Sequence, residues 1–203
     1  CYCIENEGRA RFEKPCAEAA REKVLSDLKL LHGIGPIKEK QLRKQGISSI
    51  PDLLGHSRFG TEASRLLEAV ERSDSCGIQE HILRWYPRSH PLSFFVSGFH
   101  SVSDFILLDI ETLGLFTRPI ILIGLARIES GRILFEQFLL RGIEEEAAAL
   151  EAVVSRIGST SAFVTFNGRG FDIPYIRERL FYYGLGGALE RAHFDLLPYS
   201  RRA

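Results

Sequence analysis

The chain has 203 residues, enough for one large domain or two small ones. Its 26 Lys and Arg balance 26 Asp and Glu, and 45 % of residues are hydrophobic, which excludes a strongly basic nucleic-acid coat protein and a disordered chain. No apolar run approaches the ~20 residues of a membrane span, and no secretory leader pattern opens the sequence, so no membrane partner is expected. Four cysteines (Cys1, Cys3, Cys16 and Cys76) are too few for a disulfide scaffold, and a cytoplasmic location follows as the simpler expectation. Zinc or an iron–sulfur centre at Cys1, Cys3 and Cys16 is disfavoured, because C-x-C with one distant Cys lacks the two close pairs of structural zinc sites. Methionine is absent, position 1 included, which gives the expectation of a fragment.

Residues 1–75 read as a small all-α region. An Ala-rich charged helix is predicted over 17–31, with Val24, Leu28 and Leu31 on one face. Gly33-Ile34-Gly35-Pro36 stops it, a second helix runs from Ile37 to Gln45, and Gly46 is its expected C′ residue. Further helical turns are predicted at 51–54, 62–72 and 78–85, with a linker and domain boundary over 76–102. The stretch 28–46 carries Lys29, Lys38, Lys40, Arg43 and Lys44 against Glu39 alone, a local charge of +4 within a neutral chain. Glycines on either side of Ile34 permit a tight turn, and the helix that follows offers free N–H groups to an anion. With the lysines and Arg43 close by, a phosphodiester backbone is the natural ligand. A plain helical hairpin with a solvated charged face is the alternative. The segment resembles the helix-hairpin-helix module in its G-I-G, in Leu42 and in its G-I-x-x-I-x-D-L exit. That resemblance implies sequence-independent DNA or RNA contact through the amides around Gly33 and Gly35, although Glu39 stands where a small residue is usual.

From 103 onwards the period changes. Strands are predicted at 104–110, 119–127 and 132–140, then a helix at 144–157, a strand at 162–166, a helix at 173–183 and a strand at 194–197. This β-β-β-α-β-α-β order is an α/β mixed sheet with flanking helices over 103–203, expected to be incomplete at its C-terminal end. In Asp104-Phe-Ile-Leu-Leu-Asp109-Ile-Glu111-Thr112, alternation puts Asp109 and Glu111 on one strand face. Two like charges that close need compensation, which Mg²⁺ or Mn²⁺ supplies; two solvated acids at a strand end are the alternative. A strand, a glycine turn and a helix follow in Phe163-Val-Thr-Phe-Asn167-Gly168-Arg-Gly170-Phe171-Asp172-Ile-Pro174-Tyr175. Taken alone, Asp172 reads best as a helix N-cap.

Together, Asp109-Ile-Glu111-Thr112 and Asn167-x-x-x-Phe171-Asp172 resemble the first two motifs of the DEDD 3′–5′ exonucleases, which have the ribonuclease H-like fold. The likeness is to the exonuclease domain of family B DNA polymerases and to the YprB-like ribonuclease H-like group. It implies two Mg²⁺ or Mn²⁺ ions held by Asp109, Glu111 and Asp172, with phosphodiester hydrolysis by a two-metal mechanism. Thr112 and Asn167 are implied as strand contacts, and Arg169 and Arg177 are candidates for phosphate. The family adds a fourth acid preceded by a Tyr or His. His193-Phe-Asp195 has the look of that pair, so His193 is a candidate base and Asp195 a candidate ligand. Two other readings stay open: a non-catalytic nucleic-acid-binding protein on a degenerate exonuclease scaffold, and a structure-specific endonuclease. No aromatic–basic motif separates DNA from RNA.

Overall fold

The β-branched and aromatic runs of the second half form the strands of one mixed sheet. The computed structural model describes residues 1–9, 11–114, 118–159, 161–187 and 189–201. The chain divides into two units, one of Glu13–His100 and one of Cys1–Phe12 with Ser101–Ala203.

In the sheet unit, strand β1 (Tyr2–Arg9) is followed, after the helical unit, by β2 (Phe105–Thr112), β3 (Ile120–Glu129) and β4 (Arg132–Leu139). Helix α6 (Glu146–Arg156), strand β5 (Ala162–Thr165), helix α7 (Asp172–Tyr182), strand β6 (His193–Asp195) and the short α8 (Leu197–Ser200) complete it. The sheet order is β1-β4-β3-β2-β5-β6. The pairs β2–β3 and β3–β4 are antiparallel, while β2–β5 and β5–β6 are parallel. Strands β2, β3 and β4, successive in the chain, are antiparallel neighbours, and α6 and α7 are the crossovers that parallel pairing requires. Ile106, Leu108 and Ile110 of β2 alternate onto the face where Leu150 and Val153 of α6 and Ile176 and Leu180 of α7 pack. Each such side chain contributes roughly 1.5–3 kcal/mol on burial.

One buried ion pair locks the two helices together. Glu146 and Arg179 are bonded at 2.6 and 2.8 Å, and Glu146 also accepts from Tyr183 Oη at 2.8 Å and from Ile120 N at 2.9 Å. Burial alone would raise the Glu146 carboxyl, but these partners hold it below the ordinary glutamate range. Glu146 lies in the first turn of α6, where the helix dipole favours a solvated carboxylate, but it is buried.

Two boundaries differ from expectation. Residues 2–9 form not helix but an edge strand, paired with β4 from Tyr2↔Leu139 to Arg9↔Arg132. Its side chains are nearly all exposed, so the stretch carries charges where a buried strand would carry apolar residues. The expected linker over 76–102 is folded and packed. Helix α4 (Ser75–Trp85) buries Ile78 and Ile82, and α5 (Leu92–Phe95) and the turn after it bury Leu92 and Val96.

The rest of the helical unit is α1 (Ala17–Leu25), α2 (Pro36–Lys44) and α3 (Gly60–Glu71), joined by helical turns at Leu28–Leu30 and Pro51–Leu53. The helix predicted over 17–31 is thus broken after Leu25, and Asp27 caps the turn that follows by accepting from Lys29 N at 3.1 Å. No helix among the described residues is long and apolar enough to cross a membrane.

Candidate functional site

The carboxylates gather where β2 outruns its neighbour. Strand β5 pairs with β2 only from Phe105↔Ala162 to Leu107↔Val164, and β2 continues to Thr112. Beyond the pairing, the amide of Ile110 donates to Asp172 Oδ1 at 3.0 Å. Asp172 is the first residue of α7, only 3 % exposed, while Asp109 and Glu111 are exposed on β2. The N-cap position belongs to Phe171, which makes no capping bond, so the Asp172 carboxylate reaches across to the sheet. Burial is the first cause raising the Asp172 carboxyl to about 6. The charges of Asp109 and Asp195 add to it, and together they outweigh the hydrogen bonds from its own amide and from Ile110.

Among the described residues, no Lys, Arg or His forms an ion pair with Asp109, Glu111 or Asp172. The donor set is all oxygen, which suits Mg²⁺ or Mn²⁺ better than a soft metal. The three carboxylates do not close round one point, because among the described residues the group whose ligand atoms all lie within 4.8 Å of one another is Cys3, Glu5 and Glu136. In that group Glu136 is already paired with Arg127 and Arg156, both at 2.9 Å. Burial first, then the charges of Glu5 and Glu136, push the Cys3 thiol upward, away from the thiolate a metal needs. Among the described residues, Cys1 and Cys16 do not join Cys3 in any such group. A cleft of about 370 Å³ opens beside Asp109 and Glu111, lined by Leu107, Leu122, Gly124, Phe135, Val164 and Phe166 among others.

His193 and Asp195, the candidate base and ligand, are both held by hydrogen bonds to neighbouring residues. Both are 7 % exposed on β6. Asp195 Oδ1 accepts from Asn167 N at 2.8 Å and from Leu197 N at 3.1 Å, and Oδ2 accepts from Arg169 N at 3.1 Å. The His193 ring bonds Thr165 Oγ1 at 2.7 Å, and Thr165 Oγ1 accepts from Gly168 N at 3.1 Å. Asn167 has φ +71° and its amide is committed to Asp195. Thr112 Oγ1 donates to Gly114 O at 2.9 Å, which closes its own turn. Arg169 Nη2 donates to His193 O at 2.7 Å, and Arg177 pairs with Glu190 at 3.2 Å.

In the helical unit, Gly33 takes φ +85° and Gly35 is the extended N-cap of α2 with Pro36 at its first position. Ile34 is buried, and Gly46 takes φ +85° just past the end of α2. Lys40 and Lys44 are exposed and Lys38 is half-buried. Arg43 is different: it bonds Glu39 and Ser26 O, both at 2.8 Å, and Ser48 O at 3.1 Å. Glu39, the residue out of pattern, is therefore the anchor of an internal clasp. No sequence signal points to Arg58, whose Nη2 lies 2.7 Å from where a Cβ on Gly33 would stand.

Residues 106–203 match the family profile described as the RNase H superfamily. The chain is also 34 % identical over 132 residues to the uncharacterized protein YprB of Bacillus subtilis (strain 168), an alignment covering 62 % of this chain and 31 % of that protein. The chain thus spans less than a third of the length of the relative it matches. The six-stranded mixed sheet with flanking helices is an α/β arrangement consistent with the RNase H-like fold of that profile.

Proposed function

We propose that the protein is a metal-dependent 3′–5′ exonuclease acting on DNA or RNA, with Asp109, Glu111 and Asp172 as the metal-holding carboxylates. The observation that carries this reading is the un-neutralised Asp172: buried, raised to about 6 by burial and by the nearby Asp109 and Asp195, and bonded to the strand that bears Asp109 and Glu111. Such a cluster carries a standing cost as an anion that a divalent cation would remove. A bound divalent ion would supply Lewis acidity toward a phosphate and a nucleophilic hydroxide at neutral pH. This chain's own part is to fix three oxygen ligands at the carboxyl end of the parallel strands β2 and β5, where open α/β sheets present their ligand sites.

The helical unit would hold the nucleic-acid backbone without reading sequence. Its contacts are the amides around Gly33 and Gly35 and the side chains of Lys38, Lys40 and Lys44, with Arg58 beside the same turn.

The test is degradation of a 3′-labelled single strand with Mn²⁺, comparing the parent with the double variant Asp109→Ala, Glu111→Ala. The parent is expected to release mononucleotides from the 3′ end and the double variant none. A parent that binds no Mn²⁺ in calorimetry would be a nucleic-acid-binding scaffold, and cleavage of a 3′-blocked strand would make it an endonuclease.

A further inference from the structure

The turn between β5 and α7 places Asp172, and its shape is set in part by residues outside it. Three of its amides point away from the turn, to groups on other segments. Asn167 N and Arg169 N both donate to the carboxylate of Asp195, and Gly168 N donates to Thr165 Oγ1. The same two strands are tied twice more: His193 Nε2 to Thr165 Oγ1 at 2.7 Å, and Leu196 N to Thr165 O at 2.9 Å. The turn then closes on itself through Phe171 N to Asn167 O at 3.0 Å and Ile173 N to Gly168 O at 2.9 Å, which starts α7 at Asp172. There is no room for a side chain at Gly168, because a Cβ would lie 2.5 Å from Thr165 Cβ. Asn167 holds a left-handed conformation, which Asn adopts more readily than other non-glycine residues.

We propose that Asp195, backed by Thr165 and His193, is a positioning residue: it holds the 167–171 turn in the one shape that delivers Asp172 to Asp109 and Glu111, and is not itself a metal ligand. The inference rests on the metal-holding reading of those three acids. Its chemistry is simple. A carboxylate is an acceptor only, with room for several donors, and here three backbone N–H groups from two segments converge on it. Three of its roughly four acceptor sites are thus occupied, so turning both oxygens to a metal would cost part-buried amides their partner.

The first measurement uses the unaltered protein. In ¹⁵N–¹H spectra the Asn167 and Arg169 amides should exchange slowly without metal and keep their shifts and protection as Mg²⁺ is titrated to saturation. Over the same titration the Ile110 amide, bonded to Asp172, should move. Loss of protection at Asn167 and Arg169 on adding Mg²⁺ would show Asp195 turning to the metal and would overturn the proposal. So would fast exchange of these amides without metal. The second measurement is Mn²⁺ calorimetry of Asp195→Asn, whose amide group sets donor against donor at Arg169 N. Affinity should fall roughly 10–100-fold, the usual effect of removing a group that orients a ligand, with the number of ions unchanged. On a 3′-ended strand kcat should fall with KM unmoved. Unaltered Mn²⁺ affinity, or loss of one ion outright, refutes the positioning role. If Asp195→Asn does not fold, Thr165→Val removes the parallel tie and is judged by the same affinity. A parent that binds no Mg²⁺ would sink the metal reading, while amide protection in the metal-free protein would still report whether the latch exists.

Discussion

Replacing Asp172 with Asn should make the metal-free protein more stable at neutral pH. The Asp172 carboxyl is raised to about 6, against ~3.9 in an unfolded chain. The sign follows from linkage. A carboxyl whose folded pKa is raised helps the folded state while it is protonated, below about pH 4, and that help is lost as pH rises through about 6. At neutral pH the folded protein therefore carries a penalty of roughly 2–3 kcal/mol for an ionised Asp172. The asparagine side chain would keep an oxygen for the Ile110 amide but bring an NH₂ with no partner from the parent arrangement, costing back about 1 kcal/mol. The net gain should be about 1–2 kcal/mol, roughly 3–8 °C in Tm.

Urea unfolding followed by far-UV circular dichroism measures the gain. Trp85, the chain's single tryptophan, lies in the helical unit, so its fluorescence supplies an internal control that should not shift. Two further conditions sharpen the test. Near pH 4, where the parent carboxyl is already neutral in the fold, the advantage of Asp172→Asn should turn into a small deficit of up to about 1 kcal/mol. Saturating Mn²⁺ should reverse the order, since an ion at about 100 times its Kd stabilises the parent by ~2.7 kcal/mol and the variant hardly at all. A variant less stable than the parent at neutral pH without metal would refute the reasoning, because the hydrogen bonds to Asp172 would then outweigh its burial and its like-charged neighbours.

Two other predictions concern charges elsewhere. Arg179→Met should cost roughly 3–5 kcal/mol by leaving Glu146 buried and unpaired, while the double change Glu146→Leu, Arg179→Met should recover much of that; both are read by denaturant midpoint. Because the Glu146 carboxyl is held low, its stabilisation should be complete above about pH 4.3 and fade as acid carries pH through the folded value, a loss absent in the double variant. Changing Lys38, Lys40 and Lys44 together to Gln should weaken DNA binding equally across sequences and lower the salt slope by about 3, the number of cations removed, whereas Arg43→Gln should lower stability instead.

Most of the sheet unit was legible because its signals are side-chain periods. Ile106, Leu108 and Ile110 alternate, and Leu150 and Val153 recur at helical spacing, so the elements and their order can be read directly. Strand β1 could not be read, because an exposed edge strand has little apolar surface to bury and its signal is diluted by Glu5 and Glu7. The break in the helix predicted over 17–31 is equally silent, since Asp27 is helix-tolerated and reveals its turn only by capping Lys29 N. Charges mislead in the same way when their partners lie far along the chain. Arg43 looks like a phosphate ligand until Ser26 O and Ser48 O take its donors, and Glu146 looks like a dipole partner until Arg179 reaches it across 33 residues.

The carboxylates mark the limit of side-chain pattern. Asp109 and Glu111 could be grouped because strand alternation is a rule about side chains. Asp172 and Asp195 look alike in the sequence, each an acid at an element boundary, and the sequence pattern alone assigns neither its surroundings. What separates them is backbone. Asp172 leaves its own helix and bonds an amide that β2 exposes because β5 ends early, so its charge sits beside Asp109 with no cation to offset it. Asp195 accepts from three backbone amides, so its charge is partly offset by fixed dipoles. An acid left short of compensation has a use for a metal ion, whereas an acid saturated by amides has a use in holding shape. The distinction depends on where peptide groups point, and no residue type encodes that.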